Sequence, residues 1–292
     1  MSATRLWILG ASDPEMTAIE TLLRDAGESV AYAVGPDGKR VHPGNAYKAV
    51  DVSDGWAWGA VTHLIECGPI AGAALRPDVI CIDHHRPGDP GYGLPPEQFL
   101  GASSVGQVLR HLHGLGLIAR PPMTYCRLDR PDLMLVAAAD HCLEAAYRGR
   151  CPGVDPDALM QWRAESRTAF QKRPVADVLA DIEAARRRLR EAVARIEREY
   201  PMGGGSVIEH HLPDAPVADL RGQSIPELPE AAVREGVPFL ADQTDRDGRK
   251  KVVLMAAPPD LVQRFLAGEI VPGLVDTYGD PARGFAGGYL PS

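Results

Sequence analysis

Two stretches of this sequence hold side chains that chemistry uses and folding avoids. Val79-Ile80-Cys81-Ile82 is an apolar, β-branched run of the buried-strand kind, and it ends in Asp83, His84 and His85 before Arg86-Pro87-Gly88 breaks it. Desolvating those three polar groups is costly unless each finds a partner. A polar cluster at the carboxyl end of such a strand is where an α/β protein keeps its chemistry. The second stretch is LMLVAAADHCLEAAY, an apolar run interrupted by Asp140. An unpaired carboxylate there is expensive, so Asp140 reads as a site residue and its neighbour His141 as a packed or exposed bystander. Carboxylates joined by imidazoles suit Mn²⁺ or Mg²⁺ better than zinc.

The elements that must position these groups follow from periodicity. Residues 5–9 (RLWIL) read as a strand, and Pro14 opens a helix whose apolar positions Met16, Ile19, Leu22 and Leu23 recur at helical spacing until Gly27. Further strands are expected at 30–34, 61–66 and 78–82. A helix follows within GASSVGQVLRHLHGLG, capped by Ser103 or Ser104. The Asp140 run reads as a buried helix. This alternation predicts an α/β protein with a doubly wound, largely parallel sheet over residues 1–173.

Residues 174–200 are rich in Ala, Arg, Glu and Leu and predict one long linker helix, ended by Pro201 and the glycines 203–205. A second, smaller α/β domain is expected over 201–292. Its VPFLAD and KVVLMAA segments read as a hairpin, Pro259 to Leu266 as a helix, and the ending as a glycine-rich loop. His210 and His211 read as strand residues, of which at most one faces the site.

Composition narrows the partners. With 292 residues and 45% hydrophobic residues the chain can bury substantial cores. Its net charge of −8 argues against long duplex nucleic acid, which needs many cations against its phosphates, while a small anionic substrate stays compatible. No apolar run of spanning length argues against a membrane, and Asp13 interrupts the N-terminus before a signal-like stretch develops, so the chain reads as cytoplasmic. Five cysteines without a C-x-x-C pair read as reduced thiols and disfavour thiolate-bound zinc. A homo-oligomer is compatible with the sequence but not indicated by it.

Asp83-His84-His85 after an apolar strand, Gly101-Ala102-Ser103-Ser104 opening the next helix, Asp140 within AAADHC and the Gly-rich ending together resemble the DHH superfamily of phosphoesterases, with a C-terminal domain like that family's DHHA1 domain. The resemblance runs in order over nearly the whole chain and is sharpest at ICIDHH. It implies a metal-dependent hydrolase of a phosphodiester or phosphoanhydride in a small nucleotide-type substrate: a short oligonucleotide, a dinucleotide or a cyclic dinucleotide. It also implies one or two Mn²⁺ or Mg²⁺ ions held by Glu15, Glu66, His84 and Asp140, with Asp13 and Asp83 as further candidates. His84 and His85 take the catalytic roles, His85 near the scissile phosphate. Arg283, Gly284, Gly287 and Gly288 become substrate-binding residues. Divalent cations supply such a site with acidified water and charge neutralisation at phosphorus.

The sequence departs from the family pattern at its first motif, where Ala11 and Thr17 stand at two ligand positions. A shift of two residues makes Asp13 and Glu15 the acidic pair, and the sequence leaves both registers open. The family's Gly-Gly-His is replaced around Pro281 and Ala282. An alternative follows: a catalytically impaired member that binds a nucleotide or protein partner.

Overall fold

The computed structural model describes residues 5–53, 61–68, 70, 79–199, 216–245 and 248–291, apart from the side chains of residues 169, 170, 199 and 282. The glycines 203–205 expected to end the linker helix, and His210 and His211, lie outside the described residues. The protein is of the α/β class and divides into two compact units, Met1–Arg163 and Ala164–Ser292.

The first unit runs β1 (Arg5–Leu9), α1 (Pro14–Asp25), β2 (Ser29–Val34), β3 (Asp51–Val52), β4 (Val61–Ile65), β5 (Val79–Ile82), α2 (Phe99–Ala102), α3 (Ser104–Gly114), α4 (Pro122–Leu128) and α5 (Asp132–Tyr147). Helix α6 (Pro156–Gln171) crosses the division. The sheet order is β3-β2-β1-β4-β5, parallel throughout except for the short antiparallel β3. The chain leaves β1 toward one edge and returns past it to β4, so the switch point of the sheet lies between β1 and β4. That is the place where ligands bind in open α/β sheets.

Strand alternation distributes the core over both faces. Leu6 and Ile8 join Ala31, Ala33 and Leu64 on one face, covered by the turn-rich segment that carries Ala46 and Ala49. Trp7 points the other way, stacks on His63 at 3.7 Å and meets the edge of His111 on α3. Its indole Nε1 donates to Glu28 at 2.8 Å. The α1 stripe of Met16, Ile19, Leu22 and Leu23 is buried, worth about 1.5–3 kcal/mol for each side chain removed from water. Pro14 sits in its first turn, and the Asp13 side chain accepts the Met16 amide at 2.7 Å. Strand β5 differs from expectation: it is an edge strand, and Cys81 is exposed rather than buried.

The second unit contains α7 (Val175–Glu199), β6 (Ala218–Asp219), α8 (Leu228–Glu235), β7 (Phe239–Thr244), β8 (Lys250–Met255), α9 (Pro259–Leu266), β9 (Val275–Asp280) and β10 (Phe285–Tyr289). Its sheet order is β6-β7-β8-β10-β9, and only the β6–β7 pair is parallel. Helix α7, expected as a connector, buries Ala185, Leu189 and Ala192 against Leu220, Leu228 and Phe239 and is part of this unit's core. The glycine-rich ending is not a loop: it forms the interior strand β10. Among the described residues no helix is long and apolar enough to cross a membrane.

Candidate metal centre

Three strand ends and two helices converge at the switch point. Beyond β1, the Gly10 amide donates to the Ile65 carbonyl at 2.9 Å. A Cβ on Gly10 would lie 2.3 Å from the Glu66 carbonyl oxygen, so only glycine lets β1 and β4 end this close together. Glu66 itself takes a left-handed backbone, φ 48°, which is uncommon outside glycine and turns its side chain out of the strand pattern. Glu15 lies in the first turn of α1, and its Oε1 accepts the amide of Val105 at 2.9 Å, at the start of α3. Ser103 caps α3 through Oγ, accepting the Gly106 amide at 3.2 Å; Ser104 does not serve as the cap.

His84 is the centre of the arrangement. Its Nε2 donates to Asp140 Oδ2 at 2.6 Å and lies 3.4 Å from Glu66 Oε1 and 4.0 Å from Glu15 Oε2. Its Nδ1 faces His141 Nδ1 at 3.3 Å, and His141 Nε2 donates to the Leu94 carbonyl at 2.9 Å. Asp140 is therefore a paired carboxylate, which answers the cost of placing it in an apolar helix.

Asp83 holds the turn rather than the cluster. Its Oδ1 accepts the amides of His84 at 2.7 Å and His85 at 3.1 Å, and also His85 Nδ1 at 2.9 Å. Its Oδ2 accepts the hydroxyl of Tyr47 at 2.9 Å, and the guanidinium of Arg86 stacks over the Tyr47 ring. Gln107 ties the backbone down by donating to the Asp83 and Ala102 carbonyls at 2.9 and 2.8 Å. A residue whose side chain closes on its own turn orients neighbours instead of binding a ligand itself.

The electrostatics are those of a cation-shaped gap. Glu66, His84, His85 and Asp140 each offer one ligand atom, and these atoms lie within 4.8 Å of one another. Glu15 Oε2 and Glu66 Oε1 are buried without a hydrogen-bond partner. Burial, then the charges of Asp140 and Glu66, push the Glu15 carboxyl well above the usual carboxylate range. Burial opposes charge on His84, but the hydrogen bond to Asp140 and the nearby Glu66 carboxylate outweigh it and raise the imidazole to about 10. Asp140 is held low against its burial by His84. The protein thus gathers positive charge where carboxylates crowd, which is what a divalent cation supplies. An oxygen-rich set with imidazole nitrogen fits Mn²⁺ or Mg²⁺.

The remaining expected residues take other places. Asp13 is the α1 cap, its carboxyl raised to about 7 by burial and by the nearby Glu66 charge. Ala11 is buried, and the Thr17 hydroxyl donates to the Asp13 carbonyl at 2.7 Å, so neither adds a donor to the cluster. His63, on β4 and outside the expected set, stacks on Trp7. In the second unit the glycines do structural work. Strand β10 is paired on both edges, so its amides face neighbouring strands and not an anion. A Cβ on Gly287 would lie 2.6 Å from the Tyr278 ring, and one on Gly288 2.9 Å from Leu274. Gly284 is a turn residue, φ 68°. Arg283 is exposed, with its guanidinium 6.0 Å from the Phe285 ring centre.

The residues that sequence reasoning missed are His141, Tyr47 and Gln107. A histidine directly after Asp140 was a usable signal; Tyr47 and Gln107 lie 36 and 24 positions from Asp83 and carried none.

The geometry defines a class: an α/β protein with a carboxylate–histidine cluster at the switch point of its parallel sheet, of a kind that could hold a metal ion. No protein-family model, no curated protein and no solved structure matches this chain.

Proposed function

We propose that the first unit is the doubly wound catalytic domain of a divergent DHH-type phosphoesterase, working in the cytoplasm on a phosphodiester or phosphoanhydride of a small nucleotide-type substrate. One observation carries this reading: His84 Nε2 meets Asp140, Glu66 and Glu15 within 4.0 Å, in a pocket where two carboxylate oxygens have no hydrogen-bond partner. Glu66, His84 and Asp140 would hold a Mn²⁺ or Mg²⁺ ion, with Glu15 beside them. Bound there, the cation supplies acidified water and neutralises charge on the phosphoryl group. His85, fixed through Nδ1 by Asp83, is positioned to stabilise charge that develops on substrate oxygens. Arg283 is the second unit's proposed contact for a substrate phosphate.

A second reading has its own observation. With Ala11 and Thr17 outside the cluster, the donor set suits one ion better than two, and a member with one ion could bind a nucleotide without cleaving it.

The deciding experiment is hydrolysis of bis(p-nitrophenyl) phosphate, a dinucleotide, a cyclic dinucleotide and pyrophosphate, with and without Mn²⁺, for the wild type and His84→Ala. Mn²⁺-dependent turnover that the variant loses is the expected result. A folded protein that binds neither metal nor turns over any substrate would sink the enzyme and leave the binding module.

A further inference from the structure

Helix α5 does not run straight through to its end. At Cys142 the backbone leaves helical geometry, φ −154° and ψ 50°, directly after Asp140 and His141. Beyond Tyr147 the chain turns back on itself: the Arg150 amide donates to the Ala145 carbonyl at 2.9 Å and Gly149 takes φ 72°. This reversal delivers Cys151 to the bend. Its Sγ lies 3.1 Å from Cys142 Sγ. Both are free thiols, Cys151 buried and Cys142 half-buried. A covalent S–S bond is about 2.05 Å long, so closure asks for roughly 1 Å of movement.

We propose that Cys142 and Cys151 are a reversible dithiol–disulfide pair, whose oxidised state pins the bend of α5 and with it the segment carrying Asp140 and His141. The half-buried Cys142 is the accessible partner and attacks first. Its thiolate attacks a small-molecule disulfide of the glutathione type, whose S–S bond breaks and releases one thiol. The Cys151 thiolate then attacks the Cys142 sulfur in this mixed disulfide, forming the protein S–S bond and displacing the second thiol. Two electrons pass from the cysteines to the small disulfide, and the two protein protons end on the two released thiols. Only eight residues separate the pair, so the cross-link acts on a short loop already folded to receive it. The consequence for metal affinity rests on the cation reading above; formation of the disulfide does not.

The test uses the full chain in glutathione buffers of graded ratio, followed by rapid alkylation and peptide mapping. A Cys142–Cys151 disulfide should form and reverse with dithiothreitol, and amide exchange at Ala139–Cys142 should slow on oxidation, with or without metal. Cys151→Ser, its fold checked by circular dichroism, should retain the glutathione adduct on Cys142. Both thiols alkylated throughout, or a wild-type adduct that never resolves, overturns the pair; unchanged exchange overturns the pinning. In calorimetry the oxidised protein should bind Mn²⁺ about fivefold or more tightly than the reduced protein. Equal or weaker affinity overturns that coupling, and a disulfide that forms while neither state binds Mn²⁺ upholds the thiol pair and removes the cation reading.

Discussion

His84 and His141 face each other through their Nδ1 atoms at 3.3 Å, and this contact decides which nitrogen His84 offers to the carboxylates. The Leu94 carbonyl can only accept, so the proton on His141 sits on Nε2. Neutral His141 then accepts at Nδ1, and His84 donates from Nδ1. His84 Nε2 is left directed at Asp140 and Glu66, where its proton is the one a cation would displace.

Replacing His141 by alanine removes the acceptor that holds this orientation and touches none of the carboxylates. Mn²⁺ affinity should fall about 10–100-fold, the range for loss of a partner that orients a ligand. Calorimetry on His141→Ala, with the melting temperature measured alongside, checks this; unchanged affinity in a folded variant would show that the contact orients nothing.

Glu15→Gln should have opposite effects on stability and binding. Glu15 is buried beside Asp140 and Glu66, and its carboxyl is held far above the ordinary range. The amide keeps an acceptor for the Val105 amide and has no charge that must be desolvated or protonated on folding. The metal-free variant should be more stable by about 1 kcal/mol or more near neutral pH, since burying Glu15 costs the protonation or desolvation of its carboxylate and glutamine carries no such cost. Its Mn²⁺ affinity should drop, and so should the rise in melting temperature that saturating Mn²⁺ gives the wild type. Parallel thermal melts with EDTA and with Mn²⁺ separate the two effects.

The legibility of this molecule follows the range of its signals. The ends of β1, β4 and β5 and the helical stripe of α1 are written in local periodicity, and Asp83, His84, His85 and Asp140 stood out because a polar group in an apolar run must have a partner. What the partner is depends on contacts far along the chain. Asp83 reads as a ligand candidate in the sequence, whereas its own turn and Tyr47 account for both its oxygens. Gly287 and Gly288 read as part of a glycine-rich loop because glycine composition does not distinguish a turn from a strand packed against Tyr278 and Leu274.

Asp83 should be a structural keystone whose loss also affects turnover. Asp83→Asn trades one acceptor oxygen for an amide set against buried donors, costing about 2–3 kcal/mol. Tyr47→Phe removes a single hydrogen bond to Asp83 and should cost only about 1 kcal/mol. If His85 acts on the substrate, Tyr47→Phe lowers kcat with little change in KM, because Asp83 orients His85 without forming the pocket wall. Chemical denaturation and steady-state kinetics on this conservative variant read the two quantities separately. A change in KM alone would place Tyr47 in binding instead.

Gly10→Ala tests the approach of β1 to β4. Its Cβ would fall 2.3 Å from the Glu66 carbonyl oxygen, a backbone atom that cannot swing aside. A destabilisation of about 1–3 kcal/mol is expected from forcing the strand ends apart. Because Glu66 moves with them, Mn²⁺ affinity should fall as well. Gly27→Ala is the contrasting control: its Cβ meets nothing within 4 Å, so only its positive φ of 73° is at issue and metal affinity should hold. Equal Mn²⁺ affinity in both variants would detach the glycine contact from the site.

The second unit allows packing to be separated from recognition. A methyl group on Gly287 would lie 2.6 Å from the Tyr278 ring, so Gly287→Ala must push that ring or open the β10–β9 pairing. It should lower stability by about 1–3 kcal/mol. Arg283 is exposed and its guanidinium is not built into a core, so Arg283→Ala should change stability by less than about 0.5 kcal/mol. If Arg283 contacts a substrate phosphate, the same variant raises KM about tenfold, equivalent to ~1.4 kcal/mol of lost binding, with kcat nearly unchanged. Melting curves and steady-state kinetics on the two variants decide between the roles: a KM that responds to Gly287→Ala but not to Arg283→Ala would remove Arg283 from the substrate and leave the glycine-rich ending as packing alone.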